Sequence, residues 1–325
     1  MAFDPLILLL LAMVLEGAAG FAIRVFKLFP SLLDVVKGLI RFFDRKLNRA
    51  HRSQMDRAIR GVLITVLIMA LCMGLSAGIL WIAGHIQYGW ALELLLTASL
   101  LTQGQTYVQA RRLAKHISAS EIDDARTHLA MATSHDTANL DEHALCRTAI
   151  EYVTENFVTG VVAPVFWFVL FGFPGLLVTR AVHVMAVHLE QPGEQYRAFG
   201  LTACRLNDAL NFIPARLASL FIAAAAAFTP TARPGQAMST MGRDAGRYPS
   251  VNLGWPLAAM AGALSLTLAG PRPGRPDHDA TPWIGEGSAR TTAQDVNRAV
   301  YVYSVACLFN LAGIAGLAVL RYGLP

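Results

Sequence analysis

Three stretches of this chain run past the length of a membrane crossing without one formal charge. Gly61–Gly84 has 24 such residues, Phe157–Thr179 has 23 and Val300–Leu320 has 21. A helix needs about 20 apolar residues to span hydrocarbon. Inside hydrocarbon the backbone has no water to bond, so only helices and closed barrels are stable there. Composition agrees: 54% of the 325 residues are hydrophobic and 15% are charged, against about 25% charged in soluble domains. The expectation is an all-α, polytopic integral membrane protein with helical and loop regions on the cytoplasmic side, forming one membrane domain over 1–325. Spans are expected near 5–23, 61–84, 90–101, 157–179, 212–228 and 300–320. Polar regions are expected at 24–60, 102–156, 180–211 and 229–299. The run 253–271, rich in Ala and Gly, reads as a short span, a re-entrant piece or a buried helix.

No basic residue precedes the first apolar run, and Asp4 and Glu16 flank it. A secretory signal begins with positive charge, so this run reads as a retained first helix. Residues 24–60 hold ten Lys or Arg against three Asp. Positive loops stay cytoplasmic, which puts the N-terminus outside and anionic lipid headgroups beside the loop; nucleic acid is not an expected partner. Within it, Ser31–Leu47 reads as an amphipathic helix with Leu32, Val36, Leu39, Ile40, Phe43 and Leu47 on one stripe, and Lys37, Arg41, Asp44 and Arg45 largely off it.

Simple alternation of crossings then puts Thr102–Asn156 inside and Arg180–Asn211 outside. Pro164, Pro174 and three glycines interrupt Phe157–Thr179, so that segment is expected to be bent or re-entrant, bringing both polar regions to one side. Thr102–Asn156 reads as helical on both sides of a break at 134–137, with Asn139 capping the second helix and Glu142 closing a capping box. Pro214 is expected to kink or start a helix.

The phosphate loop GxxxxGK[ST], GxGxxG after a strand, HExxH and GxSxG are all absent. The four cysteines are far apart with no CxxC, and the nine histidines form no metal-ligand spacing. What remains is a set of acids, arginines and amides at the edges of apolar segments: Asp136, Asp141, Glu142, Glu151, Glu155, Asn156, Arg205, Asp208, Asn211, Arg216, Asn252, Trp255, Trp283 and Glu286. One such residue is an ordinary cap or interfacial group. A set of them at membrane depth points to a functional site. Glu151 and Glu155 stand one helical turn apart and repel unless neutralised, which a divalent cation or an arginine between them would do. Arg147 can pair with Glu151 at i+4.

The segments DPLILLLLAMVLEGAAGF, LIRFFDRKLNR, HDTANLDE, AIEYVTENFVTGVVAPVFWFVLFGFPGL, YRAFG, RLNDALNFIPARL, YPSVNLGWPLAAMAGAL and PWIGEG occur in that order. From Asp4 to about Gly287 the chain resembles the adenosylcobinamide-phosphate synthase family of cobalamin (vitamin B12) biosynthesis. The resemblance implies a multi-pass protein of the cell inner membrane with a cytoplasmic active face. It implies an ATP-dependent ligase using Mg²⁺, which joins a propionate of adenosylcobyric acid, the corrinoid substrate, to 1-amino-2-propanol or its O-phosphate. Other corrinoid-pathway enzymes are implied neighbours. Glu151, Glu155, Asn156 and Asp136 would be catalytic, with Glu151 and Glu155 holding the metal. Arg147, Arg205, Asp208, Asn211, Arg216, Asn252, Trp255, Trp283 and Glu286 would bind substrates, the three arginines taking phosphate. The chain departs from the family pattern at His135, where arginine is usual, and at Thr159, Ala186 and Leu257, where acids are usual. The alternative reading is a diverged, non-catalytic membrane paralogue acting as scaffold or sensor.

Overall fold

The computed structural model describes residues 4–19, 32–49, 52–133, 137–190, 193–271 and 282–323. They are almost wholly helical and fall into two compact units. One comprises the described residues within 1–102, 163–211 and 317–325; the other comprises 103–162 and 212–316.

The first unit begins with α1 (Pro5–Ala19), α2 (Leu32–Leu47), α3 (Gln54–His85) and α4 (Gly89–Leu100). Its other helices are α8 (Ala163–Leu189), α9 (Glu194–Phe199) and the first part of α10 (Leu201–Ala226). Ser53 caps α3 by accepting from the Asp56 amide at 3.2 Å. At about 1.5 Å per residue α3 is roughly 48 Å long, more than the hydrocarbon thickness. It leaves Leu63, Val66, Met73 and Trp81 exposed, a surface that water penalises and lipid does not. The two charges nearest this unit's apolar core face each other: Glu16 on α1 and Arg180 on α8 are both buried, and Glu16 acts on the Arg180 guanidinium. The amphipathic helix forms as expected, with one correction. Asp44 is buried on the stripe with Val36 and Ile40 rather than off it. It is accepted there because Asn48 donates to it at 2.9 Å, Tyr196 donates at 3.4 Å and His188 Nε2 lies 3.4 Å away.

α8 is two helices. Gly172 sits at φ 64°, ψ −155°, a conformation open essentially to glycine alone. A straight helix would place residues 167 and 175 about 12 Å apart. Here a Cβ on Gly175 would collide with the Trp167 carbonyl, so the chain turns back on itself at Gly172. Phe157–Thr179 is therefore not one straight span.

Pro214 does not start a helix: it lies inside α10, which runs from Leu201 to Ala226. A proline at this point deprives the Leu210 carbonyl of its helical donor. The indole N–H of Trp167 supplies the replacement, at 2.9 Å.

The second unit contains α5 (Gln103–Ser118), α6 (Ile122–Ala130), α7 (Glu142–Phe157) and a π-helical turn at Val158–Val162. The rest of α10, α11 (Pro234–Asp244), α12 (Gly254–Leu264), β1 (Leu268–Ala269), β2 (Trp283–Ile284) and α13 (Ala293–Tyr322) complete it; α13 continues past this unit. The expected helix across 102–133 breaks in two, since Ser120 takes φ 59° and the His116 Nδ1–Glu121 Oε2 contact of 2.7 Å closes the turn. Residues 134–136 lie outside the described residues. The cap of α7 is Asp141, which accepts from Ala144 N at 2.6 Å, and not Asn139. Leu140 is held in a turn by Thr137 O and by two bonds from Arg126, which moves the helix start two residues on. α12 is a buried helix. Its Gly and Ala residues let α11 approach so closely that a Cβ on Gly262 would strike the Gln236 carbonyl. β1 and β2 pair antiparallel, Leu268 with Ile284 and Ala269 with Trp283.

Gly172→Ala is expected to cost about 1–3 kcal/mol through backbone strain. Gly74→Ala, on the open face of α3 with no neighbour within 4 Å, is expected to be neutral or slightly stabilising. Melting temperatures of the two variants in one detergent check this; equal values would contradict the turn at Gly172.

Candidate functional site

α7 carries Glu151 into the core of the second unit and leaves Glu155 half-buried one turn on. Ala149, Ile150, Val153 and Phe157 bury one face of the helix. Glu151, one step round from Ile150, is carried in with them and is 9% exposed. Its Oε1 accepts from the Ala269 amide at 3.0 Å. Ala269 is itself at φ 60°, an uncommon conformation for a residue with a Cβ, and it turns that N–H toward the carboxylate. Glu155 stands one turn along. The two acids line a small cavity with Thr133, Thr148, Tyr152, Thr154, Tyr248 and the apolar Leu253 and Leu257. The space within it is about 20 Å³. That is room for a water or a bare ion, and far too little for a macrocycle. The donors are carboxylate, hydroxyl and phenol oxygens only, a set that suits a hard cation such as Mg²⁺. Leu257, one of the positions where the resembled family carries an acid, is part of this wall.

The helix turn beyond the acids is irregular. Val158–Val162 is π-helical, a bulge frequent at functional sites, and it precedes Pro164, which has no N–H to give. Thr159 donates back to the Glu155 carbonyl at 3.1 Å and Asn156 donates to the Tyr152 carbonyl at 2.9 Å. Both side chains serve their own helix, and neither lines the cavity.

Arg147 does not pair with Glu151. Its Nη1 donates to the Ala289 carbonyl at 2.7 Å and its guanidinium lies 5.3 Å from the Trp283 ring. The loop after β2 and Trp283 itself pull the arginine away from the next turn of α7. Arg216, Asn252 and Trp255 do come together. The Arg216 guanidinium stacks 3.7 Å from the Phe212 ring centroid and 5.2 Å from Trp255, and its Nη1 donates to Asn252 Oδ1 at 2.9 Å. A planar cation held on two aromatic faces keeps its orientation without a carboxylate partner. Arg205, Asp208 and Asn211 belong to the first unit. Asn211 is buried and donates to the Asn207 carbonyl at 2.8 Å. Asp136 lies outside the described residues.

Sequence reading passed over Asp244. This carboxylate is 1% exposed at the end of α11. It receives bonds from Arg243 Nε and Nη2 at 2.9 and 2.8 Å, from the Gly285 amide at 3.0 Å, and lies 3.2 Å from Arg247 Nη1. Arg243 also pairs with Glu286. Gly285, at φ 93°, turns its N–H inward as a residue with a side chain would not. Asp244 thus ties the loop of PWIGEG to α11. The signal available in sequence was an acid flanked by Arg243 and Arg247 before a Pro/Gly-rich loop. The Arg243 hydrogen bonds, acting against the cost of burial and aided by the Gly285 amide and the charges of both arginines, hold the Asp244 carboxyl below its usual range.

Among the described residues, four helices long and apolar enough to cross a bilayer, with a pair of acids and an orientated arginine in the second unit, define a polytopic helical membrane protein with a polar site. The family follows from comparison of sequences. The chain belongs to the CobD/Cbib protein family, whose model matches residues 9–303. It is 34% identical to the cobalamin biosynthesis protein CobD of a Sinorhizobium species, over 97% of this chain and 98% of the relative. It is 32% identical to the protein of that name from Rhizobium meliloti, over 94% and 95%. The one from Klebsiella pneumoniae is 31% identical over 89% and 91%. No solved structure matches.

A depressed carboxylate stabilises the fold above its unfolded-state pKa, about 3.9, and that contribution is lost as pH falls through the lower folded-state value. Asp244→Asn is expected to lower stability by about 1.5–3 kcal/mol at neutral pH. Its melting temperature should also lose part of the acid-side decline expected of the parent below about pH 4. Parallel declines in both proteins would refute the assignment.

Proposed function

We propose that this chain is an enzyme of cobalamin biosynthesis that forms an amide between a propionate of adenosylcobyric acid and the amine of 1-amino-2-propanol or its O-phosphate. The observation that carries the reading is the Glu151–Glu155 pair. Two carboxylates lie one turn apart in a cavity of ion size, the first fixed by a backbone amide, in a chain that aligns over nearly its full length with proteins named for this pathway. A relative's name supports the pathway; the bond formed is what the family resemblance implies, and the chemistry of the cavity is compatible with it.

A carboxylate does not condense with an amine near neutral pH, because it is a poor electrophile and the amine is protonated. ATP cleavage to ADP and phosphate would activate the acid. Mg²⁺ held by Glu151 and Glu155 would supply charge neutralisation at phosphate oxygens. Of the two, Glu151 is fixed by its bond from Ala269 and would position the ion; Glu155, half-buried at the cavity wall, would take a proton from the incoming ammonium through the oxygen not engaged with the ion. Arg216, locked by Asn252, Phe212 and Trp255, offers a pre-orientated fork to a phosphate or propionate. The cavity has room for the ion alone, so the reacting ends of the substrates and the corrinoid ring would lie at its mouth. The apolar helices set this chemistry in a bilayer, and the positive residues of 24–60 favour the inner membrane with the site on the cytoplasmic side.

The test is complementation in a strain lacking its own synthase, fed cobyric acid, scored by cobalamin-dependent growth. The parent chain is expected to restore growth. Glu155→Gln is expected to abolish it while leaving membrane levels unchanged, with amide formation in isolated membranes down about 100-fold or more. Arg216→Lys, which keeps charge but loses the fork, is expected to raise the substrate requirement more than it lowers the maximal rate. If well-expressed parent protein gives no growth, and Thr159→Asp with Leu257→Glu restores it, the chain is not a working synthase.

A further inference from the structure

Arg57, in the first turn of α3, is a buried cation without a counter-ion among the described residues. It is 7% exposed, and its Nε is enclosed without a hydrogen bond. Its neighbours in sequence are provided for: Arg52 and Arg60 both reach Asp56, at 3.7 and 3.2 Å. No described group bonds to or pairs with the Arg57 guanidinium. The stretches of this unit outside the described residues, 1–3, 20–31, 50–51, 191–192 and 324–325, contain no Asp or Glu. Arginine does not give up its proton in a protein. The cost of burying it is therefore not relieved by neutralisation, and it calls for an anion.

Arg57 shares the packed face of α3 with Gly61, Ile64 and Ile68. That face is closely met: a Cβ on Gly61 would strike the Phe199 carbonyl at the end of α9. Side chains of a helix lean toward its N-terminus. The guanidinium is thus carried away from the uncharged run that begins at Gly61 and toward the cap at Ser53. There the first amides of a 32-residue helix lack intrahelical acceptors and form the positive end of its dipole. The dipole adds to the cost of the bare cation and to the pull on an anion. Arg52 Nη1, one residue before the cap, is enclosed without a hydrogen bond too. The Nη1 and Nη2 atoms of Arg57 are not enclosed in this way, so the outer edge of its fork is open to a ligand.

We infer that Arg57, with Arg52, binds a phosphate-bearing anion at the N-terminal end of α3. Glu151 and Glu155 belong to the second unit and take no part. Guanidinium forks take phosphate oxygens in pairs, and helix N-termini favour the same group. At about 1.5 Å per residue, Arg57 stands about 6 Å before the uncharged run, the depth of phospholipid headgroups in a bilayer. A headgroup phosphate and a soluble phosphate present the same oxygens, and the experiment separates them.

The full chain is purified in dodecyl maltoside, a phosphate-free detergent, and stripped of lipid. Melting temperature is followed while sodium phosphate is titrated against sodium chloride of equal ionic strength. In a second arm, phosphatidylglycerol is added in phosphate-free buffer, and retained lipid is counted by native mass spectrometry. Arg57→Met keeps a buried stem and removes the charge; Arg52→Gln is the second variant. Arg49→Gln, an exposed cation of the same polar region, is the control. The expected result is saturable binding in at least one arm. Arg57→Met should weaken it about tenfold or more, Arg52→Gln should weaken it too, and Arg49→Gln should leave it unchanged. Without ligand, Arg57→Met should melt no lower than the parent, since it loses only an uncompensated charge. A response to phosphate assigns a soluble anion, and a response to lipid alone assigns a headgroup; both support the site. No response in either arm, binding that either variant leaves intact, or an equal loss in the control overturns it. So does an Arg57→Met protein that melts well below the parent without ligand, because an acid of the chain would then already hold the guanidinium.

Discussion

A helix in hydrocarbon must find every backbone partner within the chain, and Pro214 removes one of them. The structure meets that loss with a side chain rather than a break: the Trp167 indole takes the Leu210 carbonyl that the proline leaves without a donor. Trp167 reaches it because α8 turns back at Gly172 and brings the residues around 167 and 175 together. The same constraint shapes the charged groups of this unit. Glu16 and Arg180 are buried as opposites, and Asp44 enters the stripe of α2 only with Asn48, Tyr196 and His188 around it. Isolated charge at these positions would be far more costly than the pairing.

In the second unit the polar groups are arranged for position. Glu151 is oriented by a backbone N–H at a residue in a strained conformation, Asp244 by two arginines and the Gly285 amide, and Arg216 by an amide and two rings. Each has one partner distant in sequence, Ala269 for Glu151, Gly285 for Asp244 and Asn252 for Arg216, which holds its geometry within the fold. Pre-orientated charge of this kind is what stabilises developing charge in a reaction at low local dielectric. It is also why a cavity of only about 20 Å³ is chemically useful: it has room for a bare ion between donors that are already in place.

Much of the fold was legible in sequence. The uncharged runs, the stripe of Val36 and Ile40, and the proline and glycine interruptions of Phe157–Thr179 all act over a few residues, where periodicity and steric rules apply. The errors came where a distant group decided the outcome. Asn139 lost the cap to Asp141 because Arg126 and Thr137 hold Leu140 in a turn. Arg147 left Glu151 for Ala289 and Trp283. Of the candidate residues, Glu151 and Glu155 line one cavity and Arg216, Asn252 and Trp255 come together, whereas Asp244 was not singled out in sequence.

By itself, then, the sequence determined that this chain is helical and crosses a membrane, because its uncharged runs have the length of a spanning helix and are about twice as long as a barrel strand. Its motifs also determined the family. Tertiary structure alone decided which acids share a cavity and which arginines are occupied. Those outcomes depend on contacts between residues more than a hundred positions apart, such as Glu151 with Ala269 and Arg147 with Ala289, and no local pattern encodes them.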